Sequence, residues 1–309
     1  VWSPEGDKIT RILGSEVYIY DTEEFRLLQK LEASEGQIVG IAWSPDGSRI
    51  AGITNPTDPY TMTPREYTIQ VWEISTPEPV MIFNGHSAWI NSVSWSPDGD
   101  FLASGSADKT VRIWEVTSGE ERHQIRSLFP VIDVAWDPAG NRLLIGSDSS
   151  ADRIYDLQTG KVTTTLFGVE NSRDVSWSPD GTITAVSGSD GHTRFYDPDT
   201  AEKIQELQGH GCAVSSHSWH PSGERMITSG CDNVVRLWDL TTGEQIRILP
   251  GYTEKSLSLA WHPSKPILAT GGYDGTIRTW EVPSGRPLLT VNHNIEEIKI
   301  YVKDSHSTD

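Results

Sequence analysis

Apolar positions along this chain come in short runs, and within a run they alternate with polar ones. Four such runs follow one another at Ile90–Trp95, Phe101–Ser104, Thr110–Val116 and Arg122–Leu128. In the third, Val111 and Ile113 occupy one face and Arg112 and Trp114 the other. A strand with large side chains on both faces is covered on both sides. The phrases between runs, Pro97-Asp98-Gly99 and Thr117-Ser118-Gly119-Glu120, read as turns. Proline presets φ there and glycine accepts the left-handed position. No stretch longer than four or five residues keeps a helical apolar period against these breakers. The predicted unit is an antiparallel meander of four strands, the size of one propeller blade.

The unit recurs. Trp2, Trp43, Trp95, Trp136, Trp177, Trp219 and Trp261 are separated by 41, 52, 41, 41, 42 and 42 residues. Each opens a turn phrase: WSPEG at Trp2, WSPDG at Trp43, Trp95 and Trp177, WDPAG at Trp136, WHPSG at Trp219 and WHPSK at Trp261. A fixed period near 42 means repeated units that bury their faces against one another. The third run gives an independent count, because it ends in an aromatic followed by an acid: Tyr20-Asp21, Trp72-Glu73, Trp114-Glu115, Tyr155-Asp156, Tyr196-Asp197, Trp238-Asp239 and Trp280-Glu281. Both counts give seven. The expected fold is all-β, a seven-bladed β-propeller of four-stranded antiparallel blades. Its units span 1–31, 38–84, 90–128, 131–167, 172–208, 214–250 and 256–291. Eleven of the twelve tryptophans belong to this framework, and Trp89 does not.

At this point the chain resembles the WD-repeat family of β-propellers, of the bacterial and fungal type rich in WSPDG. The family's Gly-His, gap, Trp-Asp signature stands here as Gly85-His86 with Trp114-Glu115 and Gly209-His210 with Trp238-Asp239. The resemblance implies a buried hydrogen-bond network in each complete blade. Carried onto this chain it is His86, Ser104, Asp108 and Trp114 in blade 3, and His210, Thr228, Asp232 and Trp238 in blade 6. A buried carboxylate needs donors, and imidazole, hydroxyl and indole groups supply them. A Ser-His-Asp set also suggests a hydrolytic triad. Recurrence by blade, ending on a core tryptophan, argues for structure instead. Blade 7 puts Tyr252 at the histidine position and blade 5 puts Gly168 there. Blade 2 has Ser34, blade 4 offers Asp148 or Asp152, and blade 1 has Gly14 where the aspartate belongs. Blades 1, 2 and 4 are therefore expected to be softer than 3 and 6.

The chain opens on Val1-Trp2, already at the end of a first strand, so it is expected to be a trimmed chain, a processed product or the ordered part of something longer. A further first-strand-like run, 295–302 (IEEIKIYV), follows blade 7. It either closes the ring beside blade 1 or begins an eighth blade. Closure matters because an unpaired edge invites aggregation.

Composition narrows the function. Asp and Glu number 43 against 25 Lys and Arg, a formal charge of −18. That excludes a nucleic-acid reading, which rests on cationic side chains. No run has transmembrane length and no signal-peptide pattern occurs, so no membrane is expected and the setting is taken as cytoplasmic. Two cysteines are not a disulfide framework. Cys212 and Cys231 flank His210 and Asp232, and three readings stand: reduced neighbours, a disulfide, or a metal site with His210 and His217. The first is preferred, and no cofactor or metal is expected.

The resemblance implies that partners bind the face where fourth strands lead to the next first strands, and the candidate binding residues are sought there. Trp89 is either a cap on a blade junction or an aromatic anchor. The extra 11 residues of the 52-residue period lie in Thr54–Tyr67 and carry Tyr60, Arg65 and Tyr67. They are tolerated loop growth or a recognition loop beside Trp89. Asp133 and Asp174 precede their blade tryptophans by three residues, with Arg173 beside one. They form a wet channel mouth or an acidic socket for a basic peptide. The expected function is a non-catalytic protein- or peptide-binding scaffold or sensor module, possible as part of a larger signalling protein. The alternative is a propeller that binds substrate for, or gates, an enzyme domain outside this segment.

Overall fold

In the computed structural model the described residues are 1–56, 66–249, 256–272 and 276–291. They form 27 strands, all paired antiparallel, in seven sheets. Blades 2 to 7 span 37–86, 90–126, 131–167, 172–208, 214–249 and 256–291, and each is a four-stranded meander in sequence order. Blade 1 has three strands, Lys8–Leu13, Glu16–Asp21 and Leu27–Glu32. A single bridge from Trp2 to Ile9 marks its inner position. The run 295–302 lies outside the described residues.

Hydrophobic clusters sit between blades. One joins Ile69, Val71 and Phe83 of blade 2 to Ile90, Trp95 and Trp114 of blade 3. Another joins Ile227, Val235 and Leu237 of blade 6 to Trp261 and Trp280 of blade 7. Each sheet thus covers its neighbour's face, which is why single blades have no core of their own.

The tryptophan period has a physical origin. Trp95, Trp136, Trp177, Trp261 and Trp2 donate their ring N–H to the carbonyls of Ala42, Ser94, Ala135, Ser218 and Ala260. In each case the acceptor directly precedes the previous blade's first-strand tryptophan. The bond from Trp2 to Ala260 joins blade 1 to blade 7, so the same clamp runs across the seam of the ring. Trp219 uses the Ser176 hydroxyl instead, at 2.8 Å. Among the described residues, Trp43 alone of this set has a buried ring nitrogen with no hydrogen-bond partner.

The turn phrase is built by its own side chains. In blade 2, Ser44 Oγ donates to Asp46 Oδ1 and accepts from the Arg49 amide, and the Ser48 amide donates to Asp46. These donors hold Asp46 down to about 2. Gly47 closes the turn at φ 67°, a conformation that penalises any Cβ.

Candidate functional site

The histidine, hydroxyl and tryptophan side chains form a directed relay in blade 3. Trp114 N–H donates to Ser104 Oγ at 2.9 Å. Ser104 Oγ lies 2.8 Å from His86 Nε2, and His86 Nδ1 lies 2.8 Å from Asp108 Oδ2. With the proton on Nδ1, each group donates once to the next and Asp108 ends the line. The Asp108 carboxylate also accepts from the Ser87 and Thr110 amides and from the Thr110 hydroxyl. Against the opposing effect of burial, these donors hold its carboxyl far below the usual carboxylate range. Blade 6 repeats the relay from Trp238 through Thr228 and His210 to Asp232, at 2.9, 2.8 and 2.9 Å. Gly209 precedes this histidine because a Cβ there would lie 2.7 Å from the Trp238 ring.

The same atoms show why this is not a hydrolytic triad. Ser104 is fully buried and its oxygen already accepts the Trp114 N–H. A nucleophile must reach substrate and be free to attack.

Other blades solve the problem differently. Trp280 donates to Thr270 Oγ1 in blade 7, while Tyr252 and Asp274 lie outside the described residues. Trp72 donates to the Glu32 carbonyl in blade 2. In blade 4 the buried acid is Asp152, which accepts from Ser172 Oγ at 2.7 Å and from the Ser147 amide. Burial pushes it up to about 7. Asp148 stays exposed in the turn.

Cys212 and Cys231 are joined in a disulfide, with a Cα–Cα distance of 5.8 Å. This corrects the preference for reduced neighbours. The relay from His210 to Asp232 brings the two loops together, and the cysteines lie beside its two ends. A metal reading also loses its ligands. His210 is committed to Thr228 and Asp232, and His217 has Ser176 on one ring nitrogen and Ser187 on the other, at 2.6 and 2.7 Å.

Asp133 and Asp174 act between blades. Asp133 accepts from Ser92 Oγ of blade 3 at 2.5 Å and from the Val175 amide of blade 5 at 2.8 Å. Asp174 accepts from the His217 amide of blade 6 at 2.6 Å. The two carboxyls also face each other within hydrogen-bonding reach. Burial first, and the neighbouring Asp174 charge second, push Asp133 up to about 7, and burial raises Asp174 as well. Their oxygens are spent clasping four consecutive blades, so they present a closed ladder instead of an open acidic socket. Arg173 is exposed, with its Nε on Ser189 Oγ.

Trp89 is 46% exposed, while ten of the other tryptophans are buried and Trp219 is partly buried. Its backbone is fixed all the same. The Trp89 carbonyl accepts from the Ala107 amide, and the Asn55 side chain holds both the amide and the carbonyl of Ile90. Asn55 leads into residues 57–65 and Tyr67 leaves them, and Tyr67 pairs with His86. Both ends of that segment therefore border the Trp89 loop. Tyr60 and Arg65 lie outside the described residues. Tyr67 does not join the surface: it is 8% exposed and packs with Ile69, Val71 and Phe83. The strand begins at that residue, and alternation turns its ring inward.

Sequence reasoning missed Leu128, Phe129 and Phe167, which are 69%, 45% and 66% exposed on the same face. The turn 106–110 connects Leu128 and Phe129 to Trp89: the Ala107 amide donates to the Trp89 carbonyl, and the Ser127 amide donates to the Lys109 carbonyl. The Asn91 side chain reaches the Val131 carbonyl, tying the two loops together. The available signal was two apolar residues in succession before Pro130, in a loop with no core to fill.

The family model of the IFT122 first β-propeller matches residues 60–301, most of the chain. The chain belongs to this WD-repeat propeller family. Its WD-repeat relatives include apoptotic protease-activating factor 1 of Danio rerio, 28% identical over 114 residues, 37% of this chain and 8% of that protein. Nuclear distribution protein PAC1 of Coccidioides posadasii is 29% identical over 101 residues, 33% of this chain and 21% of its own length. A probable cytosolic iron-sulfur protein assembly protein, Ciao1, of Culex quinquefasciatus is 38% identical over 100 residues, 30% and 26% of the two chains. These matches span about a quarter of the relatives or less. WD-repeat propellers are typically protein-interaction scaffolds. Among the described residues no helix is long and apolar enough to cross a membrane.

Proposed function

We propose that this WD-repeat propeller is a non-catalytic scaffold or sensor module that holds a protein or peptide on the face carrying Trp89. One observation carries the reading. Trp89 alone among the tryptophans is about half exposed, on a backbone pinned from both sides. A rigid, half-exposed aromatic loses little entropy on binding and has a large surface to bury. Leu128 and Phe129 extend the apolar surface across the next blade junction. Tyr60 and Arg65, which lie outside the described residues, remain candidates from the sequence in this reading. The charge of −18 favours partners with basic surfaces and speeds their encounter. The setting is cytoplasmic in this proposal, and the printed name of one relative carries the word cytosolic.

The matches to relatives several times longer than the shared segment support a second reading, in which the propeller is the sensing end of a larger signalling protein. Affinity capture from the native lysate, with wild type beside Trp89→Ala and Leu128→Ser, tests the proposal. Partners lost in both variants while the fold persists would support it. An unchanged set would move attention to the opposite face.

A further inference from the structure

The first-strand tryptophans are not covered alike at their turns. The Arg142 guanidinium of blade 4 lies over the Trp177 ring of blade 5, at 4.6 Å. The His220 ring of blade 6 meets Trp261 edge to face at 4.7 Å, and His262 of blade 7 meets Trp2 at 4.9 Å. Each covering residue stands six places or one place after the first-strand tryptophan of its own blade. In blade 5 those places hold Ile183 and Ser178, so neither a guanidinium nor an imidazole covers Trp219 of blade 6. The other six first-strand tryptophans are buried, and Trp219 is only partly so.

A groove of about 560 Å³ opens at this junction, between the turn phrases of blades 5 and 6. First strands begin at the connecting loops and end at these turns, so the groove lies on the face opposite Trp89. Its floor is apolar and fixed. Trp219 packs edge to face on Phe195 at 5.4 Å, beside Ile183 and Leu240. The Trp219 N–H is held by Ser176 Oγ, and the Gln205 amide group reaches from blade 5 to the Leu240 carbonyl of blade 6 at 3.1 Å. Ile204 stands on the rim, 53% exposed. It is the extra residue of a bulge, since Gln205 pairs with Phe195 and Lys203 with Tyr196, and a bulge re-aims the side chain it carries. The same bulge in blade 3 carries Arg122, which pairs with Glu115. An isoleucine there has no such use, and it gains by being covered together with the floor.

Charge says what covers it. Among the described residues the charged side chains lining the groove are Asp180 on one turn and Glu224 on the other, both exposed, and no cation lines it. Asp180 accepts from Ser178 Oγ and from the amide and hydroxyl of Thr182, which hold its carboxyl below the usual range. An apolar floor between two carboxylates complements an apolar side chain flanked by cations. An acidic segment would meet like charge there, on a chain that already carries −18.

We propose that the groove between blades 5 and 6 is a second interaction surface, which takes a basic segment of a partner protein by seating one large apolar side chain on Trp219 and Ile204, with Lys or Arg on either side of it facing Asp180 and Glu224.

Panning a random peptide library against the full chain, with Ile204→Glu as the counter-target, tests this. Enriched peptides should carry Leu, Ile, Met or an aromatic residue between Lys or Arg residues. In fluorescence anisotropy they should bind Ile204→Glu about 10-fold more weakly than wild type. Glu224→Lys should weaken them about 3-fold at low salt, with the difference fading as salt is raised. Trp89→Ala should bind them as wild type does, which separates this surface from the one on the other face. Both groove variants change exposed side chains, so their unfolding midpoints should match wild type, and Ile204→Ser replaces Ile204→Glu if that variant fails to fold. Enrichment of no peptide that distinguishes wild type from the Ile204 variant would overturn the proposal. Enrichment of acidic peptides, or equal loss of binding in Trp89→Ala, would overturn it as well.

Discussion

Replacing Asp174 with Asn should make the protein more stable above neutral pH and flatten its pH dependence. The change keeps the shape of the clasp. An amide oxygen still accepts from the His217 N–H, and the new amide N–H₂ faces the Asp133 carboxylate as a donor. In the native chain, Asp133 is raised from 3.8 to about 7 by burial first and by Asp174 second, and Asp174 is itself raised. A carboxyl raised on folding contributes stability that is complete below its unfolded pKa and is lost as pH climbs through its folded pKa. At about 1.4 kcal/mol per pH unit, the Asp133 shift alone corresponds to roughly 4 kcal/mol. Asp174 is 20% exposed, and burial persists in the variant, so the part relieved is about 1–2 kcal/mol. Asp152, held by Ser172 and Ser147, keeps its surroundings in both proteins and cancels in the comparison, and His217, lowered to about 4 by burial, is mostly neutral at both pH values. Urea unfolding at pH 5 and pH 8.5 measures it. The variant should gain about 1–2 kcal/mol on wild type between the two conditions. Parallel pH profiles would refute the idea that these carboxyls share a proton across blades.

Asp108→Ala should cost about 2–4 kcal/mol in denaturant unfolding, because it strands the His86 ring and the Ser87 and Thr110 donors. The native contribution of Asp108 is present above pH 4 and disappears as pH falls below it, since its folded pKa is depressed; acid unfolding should therefore begin earlier in wild type than its neutral stability suggests, and the alanine variant should lack that phase. Reducing the Cys212–Cys231 bond, which closes a loop with a sequence separation of 19, should lower stability by about 2–3 kcal/mol without changing the far-ultraviolet spectrum. Mass-shift labelling of free thiols before and after reduction checks that the bond was present.

The architecture was legible because each blade repeats the same physical problem. A strand covered on both faces, a Pro-Asp-Gly turn and an aromatic-acid ending can be read at any of seven places, and agreement among them fixes period and count. The relay in blades 3 and 6 was legible for the same reason, since Gly-His and Trp with an acid stand at fixed offsets. What lay hidden depends on relations between blades. Asp133 and Asp174 looked like channel carboxylates, and only the position of Val175 and His217 in the neighbouring sheets shows their oxygens to be occupied. Tyr67 looked like part of a loop because strand boundaries are the weakest element of a sequence reading, and one residue decided its side. Blade 1 opens in the sequence at the end of its first strand, and the pairing agrees, with three strands and a single bridge from Trp2 to Ile9.

The claim that Trp89 anchors a partner on this face is tested most directly by the dissociation constant of a captured partner for wild type and for Trp89→Ala. Isothermal titration with both proteins, each confirmed folded by its unfolding midpoint, gives the comparison. Loss of a half-exposed aromatic anchor predicts affinity weakened by roughly 30-fold or more, about 2 kcal/mol. Equal affinity in two equally stable proteins would contradict the account, and Trp89 would be no more than a cap on the junction of blades 2 and 3.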